Sequence, residues 1–232
     1  MPKITSAMNT TAISLATVML LSVSHASAQK GDLEAGVHLG PSFGWLRGNI
    51  MINATDPLLG AAGSVSLYYG LSQRIGVRAA VAYQGKGMFE EITLQDAYGN
   101  LLRQVKSRNA MDYLMVPVMA QASFGNKARI QVGVGPYAGM LLRSRRSFGD
   151  EVNFPTTDTT NELKQWDMGI SASLGGSLPL TDALRFEAMV RYDKGLSNIS
   201  ALPVFGGGTI HTNAVCLLLG CSYRLTRTDR PG

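Results

Sequence analysis

Along residues 113–142, YLMVPVMAQASFGNKARIQVGVGPYAGMLL, every even position from Leu114 to Phe124 and from Ala128 to Leu142 is apolar. The odd positions after the turn carry Arg129, Gln131, Gly133, Gly135, Tyr137 and Gly139. An alternation of period two puts these two sets on opposite faces of a hairpin. The same test finds strands along Leu33–Trp45, Val65–Leu71, Ile75–Tyr83, Trp166–Leu178, Leu184–Tyr192 and Val215–Tyr223, each with one apolar parity. No comparable helical period follows the first residues, so the pattern predicts an all-β chain of eight strands.

Facing residues of an antiparallel pair point to the same side, which ties register to turn length. Pairing Leu71 with Ile75, Phe124 with Ala128 and Leu180 with Leu184 leaves three tight turns, 72–74, 125–127 and 181–183, in which Asn126 and Asp182 tolerate the left-handed conformation. The other connections, about 47–61, 89–110, 144–164 and 196–212, are longer and rich in Asn, Gly, Thr, Arg and Asp. Short turns alternating with four long loops, with both termini at the short-turn end, predict an eight-stranded antiparallel up-and-down transmembrane β-barrel with short periplasmic turns and four long extracellular loops.

A soluble sandwich or ligand-binding barrel would show the same alternation with its faces reversed. Strand length argues against reversal: the segment from Trp166 runs about 13 residues, whereas globular strands centre on 5 to 6 and a tilted membrane strand needs about 9 to 11. Its polar face, Asp167, Gly169, Ser171, Ser173, Gly175 and Ser177, is made of small groups suited to a narrow lumen. Trp45, Tyr69, Tyr83, Phe124, Trp166, Tyr192 and Tyr223 lie near strand ends, as interfacial girdles require. Pro117 and Pro136 each remove a ladder donor, so a bulge or local break is expected at each.

The first residues carry a different signal. Lys3, the apolar run Ala12–Val23 and Ala26-Ser27-Ala28 form a secretory leader, too short to span a bilayer. The chain thus divides into a signal peptide over 1–28, a barrel domain over 29–225 and a tail over 226–232. Its 232 residues carry a net charge of +5 spread along the chain, which with export argues against a nucleic-acid partner. Cys216 and Cys221, the only cysteines, would stand about 16 Å apart on one strand, beyond the roughly 7 Å a disulfide spans. They are read as packing residues, and no zinc or other metal site is formed from them.

Tyr113-Leu114 with Val116-Pro117, the run GVGPYAG, Asp167 with Gly169, Arg191-Tyr192 with Gly195-Leu196 and Asn198-Ile199, together with Gly40-Pro41 and YQGKG at 83–87, form a set of strand and turn phrases along nearly all of the chain after the leader. In these features the chain resembles the outer-membrane β-barrel family that includes PorT-like proteins, often labelled "porin family". The resemblance implies residence in the cell outer membrane and a part in protein secretion across it. Two features depart from it. Tyr223-Arg224-Leu225 is followed by the tail TRTDRPG instead of ending the chain on an aromatic residue, and Met115 stands where the likeness implies a charged residue.

Parity sends Arg78, Lys86, Arg129, Arg185, Arg191 and Arg224 into the lumen together with Glu34, Asp167, Glu187 and Asp193. Buried charges need partners, so an ion network is expected there, with Glu34 and Arg224 meeting at the closing seam. Arg143, Arg145 and Arg146 open the third long loop and would meet anionic headgroups, a protein partner or solvent. His38 and His211 fall on opposite faces, and neither joins a Ser or Asp constellation, so catalytic and cofactor-binding residues are none. GVGPYAG lies within a strand and is no dinucleotide fingerprint. The expected role is a monomeric, non-enzymatic scaffold or binding protein acting through its loops, in contact with outer-membrane lipid and with envelope or secretion-system proteins. A small solute or ion pore and a lipid- or peptide-modifying enzyme are the alternatives.

Overall fold

The computed structural model describes residues 31–48, 56–95, 98, 100–149, 155–204 and 207–226. The expected leader and the end of the tail, 227–232, lie outside the described residues. The strands are β1 (Leu33–Arg47), β2 (Asp56–Gly70), β3 (Ile75–Gln95), β4 (Leu101–Phe124), β5 (Arg129–Phe148), β6 (Trp166–Pro179), β7 (Leu184–Gly195) and β8 (His211–Arg224). Each pairs antiparallel with the next, and β8 closes on β1 from Glu34↔Arg224 to Arg47↔His211, which completes an eight-stranded ring. A two-residue strand, Thr157–Asp158, adds to the outer end of β5.

The ring fixes the meaning of the two faces. Leu39 is 66% exposed and its neighbour His38 1%, and Val37, Val65, Leu67, Val81, Val132, Leu174 and Leu219 are likewise outward and exposed. A continuous belt of this kind far exceeds the apolar patch a soluble monomer presents to water, so it faces hydrocarbon. The inward set contains the polar and small residues. Closure leaves each barrel strand with a partner on both sides, which lipid demands of backbone groups.

Two of the tight turns keep the expected register, with Gly70↔Gly76 leading into 72–74 and Pro179↔Arg185 into 181–183. At the third, Phe124 pairs with Ile130 and not with Ala128. The shift of two leaves the faces unchanged and moves the turn to 126–128, with Gly125 beside it at φ 102°.

The larger difference is at the opposite end. β3 and β4 stay paired as far as Gln95↔Leu101, so most of the stretch 89–110 is strand, and β5 runs to Phe148 through the arginine cluster. β2 starts at Asp56, within the expected first loop. These extensions rise past the apolar belt, where the outer face meets water in place of lipid and the alternation loses its apolar half, while Val105, Ser107 and Asn109 remain buried on the inner side. A bulge between Asp112 and Tyr113 leaves Leu142 unpaired on β5, so the parity reverses beyond it: Arg143 faces outward and Ser144 turns inward.

At the prolines the ladder breaks without bulging. Between Pro117↔Tyr137 and Ala120↔Val134 it skips Gly135 and Pro136 opposite Val118 and Met119, with register kept on both sides. Between Leu39↔Leu219 and Ser42↔Cys216 it skips Gly40 and Pro41 in the same way. A Cβ on Gly135 would overlap the Val118 carbonyl oxygen, and one on Gly40 the Leu217 carbonyl oxygen. The facing proline brings no N–H to that carbonyl, and the two backbones close up against the glycine instead.

Candidate functional site: a crosslinked lumen and its outer mouth

The lumen is filled in tiers from the tight-turn end outward. In the lowest, Glu34 lies 3.5 Å from Arg129 Nη1. Arg185 donates to the Lys127 carbonyl at 2.9 Å and to Ser177 Oγ at 3.1 Å. Glu34 and Arg224 are partners across the seam, yet Arg224 has its Nε 3.9 Å from Asp32 and its side chain is 32% exposed. The seam places the two backbones side by side, while the charge on Glu34 is met from across the barrel.

The next tier centres on Glu187. Arg78 donates to both of its carboxylate oxygens, at 2.9 and 3.1 Å, in the forked geometry that makes such pairs strong. His38 Nε2 reaches Oε2 at 2.7 Å, and Ser222 Oγ donates to Oε1 at 3.0 Å. Arg78 Nε also donates to Gln121 at 2.8 Å. Glu187 thereby ties β7 to β1, β3 and β8.

Above it Asp193 accepts from Arg191 Nε at 3.1 Å, from Gln84 Nε2 at 3.0 Å and from Ser171 Oγ. Gln84 Nε2 also lies 3.1 Å from the buried Cys216 Sγ. In the uppermost tier Lys86 Nζ donates to Asp167 at 2.9 Å and stands over the rings of Tyr113 and Tyr137, 5.2 and 4.9 Å from their centroids. Thr212 and Tyr137 hydroxyls also donate to Asp167, at 2.6 and 3.2 Å. An apolar cluster that includes Leu46, Met88, Met111, Met115, Leu141 and Ile199 then caps the lumen. Met115, fully buried, belongs to this cap, which explains an apolar residue at that position.

Parity located the inward charges but missed His38, Gln84, Gln121 and Thr212 as their partners. Each sits at an inward position, and that is the signal that could have found them.

The three arginines expected in a loop are on the outer part of β5 instead. Arg145 lies 3.5 Å from Asp112, which also accepts from the Tyr83 hydroxyl at 2.6 Å. Arg146 Nε donates to Asn109 at 2.9 Å, and its Nη2 is 3.6 Å from Glu162. Arg143 is exposed opposite Asp112 in the β4–β5 register. Nearby, the Thr160 hydroxyl and amide hold the Asp158 carboxyl below its usual range. His211 contacts the Ser197 carbonyl at 2.8 Å and the Thr209 hydroxyl at 2.9 Å at the edge of the mouth. No group of three or more His, Cys, Asp or Glu among the described residues is placed to hold a metal.

A closed ring with a lipid-facing belt and a lumen bridged by its own charges defines an integral outer-membrane β-barrel. The chain belongs to the family described as outer membrane protein beta-barrel domain, whose model matches residues 26–201. Similar solved structures include a major outer membrane protein from Thermus thermophilus, at 10% identity and TM-score 0.49, covering 85% of this chain and 100% of that one. Neisserial surface protein A is similar at 11% identity and TM-score 0.47, covering 83% and 97%. The outer membrane protein OprG from Pseudomonas aeruginosa is similar at 12% and 0.44, covering 88% and 100%. No curated protein matches the chain.

Proposed function

We propose that this barrel is a non-enzymatic binding scaffold of the outer membrane, working through its outer strand extensions and connections, and that it serves as a PorT-like accessory of protein secretion. The observation that carries the scaffold reading is the tiered lumen. Glu34, Glu187, Asp193 and Asp167 each engage a cation from another part of the wall or from the same strand, and the apolar cap closes the outer end. A frame so crosslinked is suited to presenting rigid features to partners, since variable function sits on loops carried by a fixed scaffold. The secretion role follows the PorT-like resemblance and requires contacts with envelope proteins.

Photo-crosslinkers placed in cells at Tyr98, 91% exposed beyond β3, and at Asp182, in a tight turn, test both parts. Adducts from Asp182 with periplasmic or inner-membrane proteins support the secretion role. Adducts from Tyr98 alone replace it with an extracellular binding role. Reproducible single-channel conductance that changes with Arg191→Gln would overturn the scaffold reading in favour of a pore.

A further inference from the structure

At the outer mouth, above the apolar cap, lies a pocket of about 130 Å³. Its wall is built from both barrel and loop. The segment 157–164 is fastened to β5 by Thr159 N–H to the Ser144 carbonyl at 3.0 Å and by Ser144 N–H to Thr160 Oγ1 at 2.9 Å. On its other side Lys164 N–H donates to the Ile199 carbonyl at 2.7 Å, and Ala201 N–H to the Glu162 carbonyl at 3.0 Å. These ties make the pocket a formed concavity and not a gap under a loose loop.

The chemistry of the lining divides in two. Leu46, Met88, Met111 and Leu163 supply an apolar floor and side, in which the unbranched methionines adapt to the shape of a guest. Asn109 and Arg146 supply donors at one edge. Arg146 Nε is committed to Asn109 Oδ1, which leaves Asn109 Nδ2 buried with no hydrogen-bond partner among the described residues. Asn109 is only 8% exposed, and a buried unsatisfied donor costs free energy that an incoming acceptor would recover. Glu162 also lines the pocket, with its carboxylate 3.6 Å from Arg146 Nη2, beyond hydrogen-bond range, so the guanidinium has one negative neighbour and still has donors to offer a guest.

From this juxtaposition we infer that the outer mouth binds a small amphiphile, a short apolar chain or ring of about six carbons bearing a carboxylate. The size follows from the volume, since an apolar cavity of about 150 Å³ accommodates benzene. The carboxylate meets Asn109 Nδ2 and the Arg146 guanidinium while the chain lies on Met88 and Met111. This site goes beyond the scaffold role and stands whether or not a protein docks on the loops.

The test uses the full barrel in lipid nanodiscs with isotope-labelled methionine methyl groups, titrated with hexanoate. The resonances of Met88 and Met111 shift saturably, while Met168, 55% exposed on the lipid face, stays in place. Arg146→Gln and Asn109→Ala each weaken binding at least about tenfold, the loss expected for one charge-assisted or buried hydrogen bond, and 1-hexanol binds more weakly than hexanoate. Arg146 is half-exposed at the rim, so its variant keeps the test alive if Asn109→Ala fails to fold. Shifts at Met168 in step with Met88 and Met111 would mean partition into lipid and overturn the assignment. So would equal affinity for hexanol and hexanoate, or no shift at Met88 and Met111 at concentrations that leave Met168 unmoved.

Discussion

Glu187 shows what one side chain does when it is shut inside a membrane. Two arginine bonds, a histidine and a serine meet at its carboxylate, every partner buried. Replacing it by alanine strands the Arg78 charge, and loss of one member of a buried pair costs about 3–5 kcal/mol. Glu187→Ala is therefore expected to lower the stability of the lipid-embedded barrel by that amount in urea unfolding. Arg145→Ala, which breaks a half-exposed pair, should change it by less than about 1 kcal/mol. At the seam, Arg129→Ala should destabilise more than Arg224→Ala, because Arg129 is 8% exposed and holds Glu34, whereas Arg224 is 32% exposed. Equal losses would show that the seam neighbours pair after all. Alternation was enough to send these charges inward, but it says nothing about which groups meet across the lumen. Contacts such as Arg78 with Glu187 join β3 to β7, which share no ladder.

At the scale of the strand, Gly40-Pro41 and Gly135-Pro136 are two instances of one device. Each proline interrupts the ladder, and each glycine lets the opposing carbonyl approach where no Cβ fits. Gly135→Ala should destabilise the barrel by about 1–3 kcal/mol, the usual cost of inserting an atom into a closed contact, measured by the same unfolding. Gly176→Ala, where a new Cβ would make only an ordinary contact at 3.7 Å from the Arg129 carbonyl oxygen, serves as the comparison for packing. The face of every membrane-level strand was legible, since lipid on one side and a packed lumen on the other impose a strict period of two. The outer halves of β3 and β4 were not. In residues 90–109 the outer face, with Glu91, Thr93, Gln104, Lys106 and Arg108, meets water in place of lipid, while Val105, Ser107 and Asn109 stay buried, so no apolar parity marks the strands and they read as loop. The register at Phe124 was ambiguous for another reason: shifts of two preserve facing, and only the geometry at Gly125 distinguishes them.

The whole ring behaves as one closed object, with every barrel strand held by two neighbours. It should therefore migrate faster in SDS gels before heating than after, and Glu187→Ala should lower the temperature at which that difference disappears. Unchanged mobility on heating in a lipid-refolded sample would contradict closure. The two cysteines on β8 add a sharper readout. Cys216 is buried in the lumen and Cys221 is exposed on the outer wall, and neither is in a disulfide. A bilayer-soluble maleimide should accordingly add one label to the assembled protein and two to the denatured chain. Mass spectrometry of the native sequence can then count how many molecules have sealed during refolding, without any introduced tag.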